Sequence, residues 1–136
     1  LMNNKAGRKP NSKNDETKVQ LDLSLYIKDN YPDVIFTSES SGIKLTMGQS
    51  IVAKRCRSSR GLPDMWILES KKGFHGCLIE LKKEGVAVYK KDGNIRSDKH
   101  LQEQEEMQFR LRNKGYYSAF AVGLEEAKSI VDWYLS

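Results

Sequence analysis

The chain has 136 residues, 38% of them apolar and 30% charged, with a net charge of +5, which sets it among globular proteins large enough for one domain with one core. No apolar run reaches the length of a membrane-spanning helix and no signal-peptide core follows the N-terminus, so no membrane partner and a cytoplasmic location are expected. The modest positive excess points to a polyanionic partner, and two cysteines, Cys56 and Cys77, without a Cys-x-x-Cys pair fit a reducing compartment.

Residues 1–13 carry Lys5, Arg8, Lys9 and Lys13, no acid and almost nothing apolar. They read as a flexible basic tail before a single domain at 14–136. Leu1 precedes Met2, so the native start is expected at Met2. Asn14 or Asp15 can cap a first helix, with Glu16 in its first turn, where the helix dipole favours an acid. Val19, Leu23, Tyr26 and Ile27 give that helix an apolar stripe, and Asn30 and Pro32 end it. Val34 to Thr37 is β-branched and aromatic and predicts a first strand, broken by Ser40-Ser41-Gly42.

Residues 43–60 fit either a helix or an irregular segment. From Ser40 to Pro63 there are five positive residues (Lys44, Lys54, Arg55, Arg57, Arg60) and no acid. Such a run suits contacts to a DNA backbone, and it is equally the composition of a solvated charged face. Asp64 to Glu69 predicts a second strand, Ser70 to Gly73 a turn, and Gly76 to Lys82 a third strand whose apolar run suits a sheet centre. The short connection makes these two an antiparallel hairpin. Val86 to Tyr89 and Ile95-Arg96 flank an Asp92-Gly93 turn signal and predict a second, more polar hairpin. Its Lys90, Lys91 and Arg96 could extend the basic patch. Lys99 to Lys114 reads as a charged helix with Leu101, Met107 and Leu111 along one side, stopped by Gly115. A strand follows at Tyr116 to Val122. A final helix at Leu124 to Leu135 turns Ala127, Ile130, Val131 and Tyr134 inward. The order predicts an α/β sandwich around a mixed sheet.

The chemistry concentrates in Gly61-Leu62-Pro63-Asp64 and Ile79-Glu80-Leu81-Lys82. Facing side chains on adjacent strands stand roughly 5 Å apart at Cβ. Two carboxylates at that spacing repel unless a cation lies between them, and Mg²⁺ or Mn²⁺ suits such an oxygen site. Period-two alternation puts Glu80 and Lys82 on one face and leaves the Leu81 carbonyl as a further metal ligand. Lys82 would then orient or deprotonate a water, or stabilise charge on a phosphate. The spacing alone is also that of a turn residue followed by a solvated strand face with a weak ion pair. Three features favour a site: Gly61 and Pro63 place Asp64 at a strand entrance, Ile79 and Leu81 mark a buried strand where unpaired charge is unfavourable, and the chain is basic just upstream. His75-x-Cys77 lacks a second pair of zinc ligands, and His100 suits a surface or phosphate contact.

These segments resemble the PD-(D/E)xK nucleases, and among them the small stand-alone VRR-NUC domains of phages and bacteria. The resemblance runs from about Glu16 to Leu135. It rests on Glu16-Thr17-Lys18-Val19-Gln20, the two segments above, Gln104, and Gly115-Tyr116. It implies a restriction-endonuclease-like fold with a mixed β-sheet flanked by helices. Asp64 and Glu80 would be ligands for Mg²⁺ or Mn²⁺, Glu16 an added acidic ligand, Lys82 the catalytic lysine and Gln104 an active-site helper. The namesake Val-Arg-Arg is absent, since Lys83-Glu84 follows the second segment. The resemblance further implies a homodimer in a bacterial or phage-infected cell, acting on branched DNA as a Holliday-junction resolvase. The alternatives are a flap or duplex-nicking nuclease of the same fold, or a non-catalytic DNA-binding module.

Overall fold

The computed structural model describes residues 12–39 and 44–136. Its elements are α1 (Ser12–Asn30), β1 (Phe36–Ser38), α2 (Met47–Arg55), β2 (Met65–Ile67), β3 (Cys77–Lys82), α3 (Lys99–Asn113), β4 (Tyr117–Val122) and α4 (Leu124–Leu135). The four strands form one mixed sheet in the order β1-β2-β3-β4. β1 with β2 and β2 with β3 are antiparallel, while β3 and β4 are parallel. The parallel pair needs a long crossover, and α3 supplies it. This is the α/β arrangement of restriction-endonuclease-like proteins.

The sheet has two unlike faces because strand side chains alternate. Met65, Ile67, Cys77, Ile79, Leu81 and Ala121 point to one face, where they pack with Leu23 and Ile27 of α1 and Ala127, Val131 and Tyr134 of α4. That layer is the core. Tyr134 closes it by donating its hydroxyl to the Glu69 carbonyl at 2.5 Å. On the opposite face a smaller cluster joins Phe120 of β4, Leu101 of α3 and Val88 of the connection between β3 and α3. Glu80 and Lys82 alternate with Ile79 and Leu81, so they lie on the α3 face.

The structure decides between some of these expectations and corrects others. α1 begins at Ser12, so Asn14 and Asp15 lie within it and do not cap it; Ser and Lys are ordinary helix residues, and nothing at 12–13 stops the helix earlier. Lys5, Arg8 and Lys9 lie outside the described residues. The 43–60 segment contains a true helix, α2, started by a capping box in which Thr46 accepts from the Gln49 N–H and the Gln49 side chain accepts from the Thr46 N–H. α2 has no buried residue, and Met47, Ile51 and Val52 are exposed. The second hairpin forms only one bridge, Tyr89 to Ile95, with Lys90 N–H donating to the Asn94 carbonyl at 2.7 Å. Val88 tucks into the α3 face and draws the chain out of a longer ladder. No described helix is long and apolar enough to cross a membrane.

β3 is the axis of the fold, with five of its six residues buried. Ile79→Ala on this strand should destabilise the protein by about 2–5 kcal/mol. Ile35→Ala, at a site 68% exposed, should change stability by no more than about 0.5 kcal/mol. Urea midpoints of the two variants check this, and equal losses would mean β3 is not the core strand.

Candidate active site

Asp64 immediately precedes β2, and the way the chain reaches it is sterically fixed. Gly61 has φ +80°, and a Cβ there would stand 3.0 Å from the Glu103 carbonyl oxygen of α3. Only glycine combines that left-handed conformation with so close an approach. The loop therefore lies directly on α3 beside Gln104. Pro63 is buried, and its carbonyl accepts from the Trp66 indole N–H at 2.7 Å. The next residue, Asp64, donates its N–H to the Ile79 carbonyl at 3.1 Å. Its carboxylate Oδ2 accepts the Leu81 N–H at 2.9 Å. A side chain here replaces a ladder carbonyl.

The same register explains the Leu81 carbonyl. N–H and C=O of one strand residue point to the same neighbour. The Leu81 N–H goes to Asp64 Oδ2, so the Leu81 carbonyl faces the Asp64 side as well.

Glu80 is 4% exposed. Its Oε1 accepts from Gln104 Nε2 at 2.9 Å and lies 3.8 Å from Lys82 Nζ. Its Oε2 is buried and accepts no hydrogen bond, and neither does the buried Oε1 of Gln104. Burial drives the Glu80 pKa well above the usual carboxylate range, and the Asp64 charge raises it further; Lys82 opposes the shift, a carboxyl–carboxyl hydrogen bond with Asp64 adds to it, and Glu16 adds least. The central strand thus holds an acid that is poorly compensated by the protein's own groups.

These residues line a pocket of about 170 Å³, in which Asp64, Glu80, Leu81, Lys82, Gln104 and Glu16 all take part. Among the described residues no three or more His, Cys, Asp or Glu side chains gather into a metal-holding group. The expected Glu16, Asp64 and Glu80 set is therefore not drawn into one tight cluster. Glu16 stays in the same pocket as the weakest influence on Glu80. His75 and Cys77 belong to no such group either. Oxygen-bearing groups line this pocket: the Asp64 and Glu80 carboxylates, with Leu81 between them and Lys82. That set fits a hard divalent cation, which would take the place of a proton between the two carboxylates.

One pocket residue, Glu39, was not singled out in the sequence, and Gln20 entered only within the Glu16-to-Gln20 segment. Glu39 follows β1, donates its N–H to the Asp64 carbonyl at 2.6 Å and pairs with Arg57 at 2.9 Å. Gln20 is buried on α1 and donates its side-chain N–H to the Glu39 carbonyl at 2.7 Å. The expected first strand stops at Thr37; two more residues of strand would have set Glu39 beside Asp64. The basic residues separate into groups. Arg57 is half-buried at the pocket, while Lys44, Lys54, Arg55 and Arg60 are exposed. Lys54, Arg57, Arg60 and His100 border a polar groove of about 580 Å³ that adjoins the pocket at Gly61 and Gln104. Lys90, Lys91 and Arg96 are exposed on the bridge-closed hairpin and do not line the pocket; Arg96 donates to the Ala87 carbonyl at 3.1 Å.

No family model and no curated protein matches the chain. A solved structure titled "VRR_NUC domain protein" is similar to it, with 22% sequence identity, a TM-score of 0.60, and coverage of 89% of this chain and 88% of that one. The likeness extends over nearly the whole of both chains and shows a shared fold.

The raised pKa of Glu80 has a thermodynamic consequence. The folded protein binds this proton more tightly than the unfolded chain, whose glutamates titrate near pH 4.3 (about the reference value). Its stabilising effect is therefore full below that pH and is lost as pH rises through the folded value. In EDTA, Glu80→Gln should melt above wild type at neutral pH, with the difference shrinking as pH is lowered towards about 4. Thermal melts across pH check this; a difference independent of pH would remove Glu80 as the source.

Proposed function

We propose that the protein is a metal-dependent endodeoxyribonuclease of the VRR-NUC type, a member of the PD-(D/E)xK nucleases. The observation that carries this reading is the buried Glu80, whose Oε2 accepts no hydrogen bond, set against Asp64 and beside Lys82 and Gln104. An acid so placed weakens the fold unless it has a ligand, and perturbed carboxylates in a pocket mark functional sites. The fold shared with the VRR_NUC domain structure supports the same reading.

Asp64, Glu80 and the Leu81 carbonyl would hold Mg²⁺ or Mn²⁺, with Glu16 adding negative charge from the same pocket. When bound there, the cation supplies positive charge against a phosphate and acidifies water. The protein's own groups do the rest. Asp64 is fixed to β3 through the Leu81 N–H, so the two acidic positions move as one unit. Gln104 holds Glu80 Oε1 and leaves its own carbonyl oxygen to accept from a water. Lys82 offers N–H donors to the attacking water or to the phosphate oxygen on which charge grows. Water adds across the P–O bond: its oxygen bonds to phosphorus, the bond to the leaving oxygen breaks, and that oxygen takes up the proton.

The substrate is DNA, and its backbone follows the groove between Arg60 and His100. Lys44 ahead of α2, Lys54 and Arg55 in its last turn, and Lys90, Lys91 and Arg96 on the hairpin add phosphate contacts around it. Such contacts read charge and shape, not sequence. The preferred substrate is branched DNA, the four-way junction foremost, and the active form is a homodimer. Two sites related by a two-fold axis suit paired cuts on a symmetric junction.

Cleavage of a synthetic four-way junction, a flap, a single strand and a linear duplex, each with Mg²⁺ and with Mn²⁺, tests the proposal. The junction should be cut fastest, cleavage should vanish in EDTA, and Lys82→Ala should slow it by about 10²-fold or more. Cleavage at the wild-type rate by Lys82→Ala overturns the mechanism. Equal cutting of linear duplex overturns the junction preference and leaves the nuclease standing.

A further inference from the structure

Among the described residues, Arg57 is the one cation that borders both the pocket of Asp64 and Glu80 and the basic groove beside it. Lys82 lines only the pocket, and Lys54 and Arg60 line only the groove. Arg57 also differs from its basic neighbours in burial: its side chain is 24% exposed, whereas Lys54, Arg55 and Arg60 are open to solvent.

Its place is set by Glu39, which three bonds fasten. The Glu39 N–H donates to the Asp64 carbonyl at 2.6 Å, the Glu39 carbonyl accepts from Gln20 at 2.7 Å, and the Glu39 carboxylate holds the Arg57 guanidinium at 2.9 Å. The guanidinium is thereby indexed to the backbone of Asp64 itself. A partly exposed ion pair contributes only about 0–1 kcal/mol to stability, which is little reason to draw an acid into a pocket that already holds Glu16, Asp64 and Glu80.

Taken with the nuclease reading, on which it rests, the geometry points to Arg57 as the residue that grips the reacting phosphate where the DNA backbone passes from the groove into the pocket, with Glu39 as its positioning residue. A planar guanidinium fork matches two phosphate oxygens and one carboxylate at once, which a lysine ammonium cannot do with the same orientation. As the phosphorus gains a bond, charge grows on those oxygens, and a fixed donor there acts on the rate more than on binding.

The test measures kcat and KM on whichever DNA the wild type cuts, with Mn²⁺ affinity and Tm measured in parallel. Arg57→Ala should lower kcat by about 10²-fold with Mn²⁺ affinity unchanged. Glu39→Gln should lower it by about 10-fold or more, as loss of a supporting partner does. The swapped pair Glu39→Arg with Arg57→Glu decides between roles: it should recover Tm and stay as slow as Arg57→Ala. Recovery of kcat together with Tm, or Arg57→Ala cutting within about twofold of wild type, overturns the assignment. If the swapped protein does not fold, Arg57→Lys against Arg57→Gln decides: at equal Tm the lysine variant should be about 10-fold faster, and equal rates overturn the assignment. A wild type that cuts no DNA in either metal is a separate outcome, and it overturns the nuclease reading together with this inference.

Discussion

The burial of a carboxylate on the central strand is the constraint on which the rest of this structure depends. Glu80 sits in β3, between β2 and the parallel partner β4, where little of it meets solvent. A strand so placed is normally apolar throughout. The compensation present is partial: one hydrogen bond from Gln104, and an ammonium at the outer limit of ion pairing. Against these stand desolvation and a second acid, Asp64. The protein thus holds a local conflict between stability and charge at its most rigid element. Such a conflict is retained where a ligand of opposite charge resolves it.

Around that constraint, the surrounding elements act as positioning devices. The β2 entrance is held on α3 by the close approach at Gly61. The Asp64 side chain takes the Leu81 N–H and ties the β2 entrance to β3. The α3 crossover needed by the parallel pair carries Gln104 over Glu80. The Asp98 side chain caps that helix by accepting the Leu101 N–H at 3.0 Å, which fixes where its first turn begins. The end of β1 adds Glu39, and α1 adds Gln20 behind it. Five segments far apart in sequence therefore converge on one pocket, each for a separate structural reason.

Much of this was legible in the sequence, and the limits are physical. Period-two alternation placed Glu80 and Lys82 on one face, and the short connection at 70–73 required an antiparallel neighbour carrying Asp64. The α3 and α4 boundaries followed from Gly115 and the apolar spacing. Gln104 came only with the family resemblance, because helical phase does not say which strand a helix crosses. Glu39 stayed hidden because it lies past the β-branched run, where pairing with β2 sets the strand's length and intrinsic preference does not. α2 lacked an apolar stripe to read, since it buries nothing; its capping box was the available signal. The basic run was visible as charge, yet only tertiary contact separates Arg57 from its exposed neighbours.

The direct measurement of the central claim is calorimetric titration of Mn²⁺ into the DNA-free protein and into Glu80→Gln, with circular dichroism to confirm an unchanged fold. The account predicts binding to the wild type that weakens by about 10-fold or more in the variant. Equal Mn²⁺ affinity in the two proteins would contradict it, since the buried carboxylate would then have no part in holding the cation.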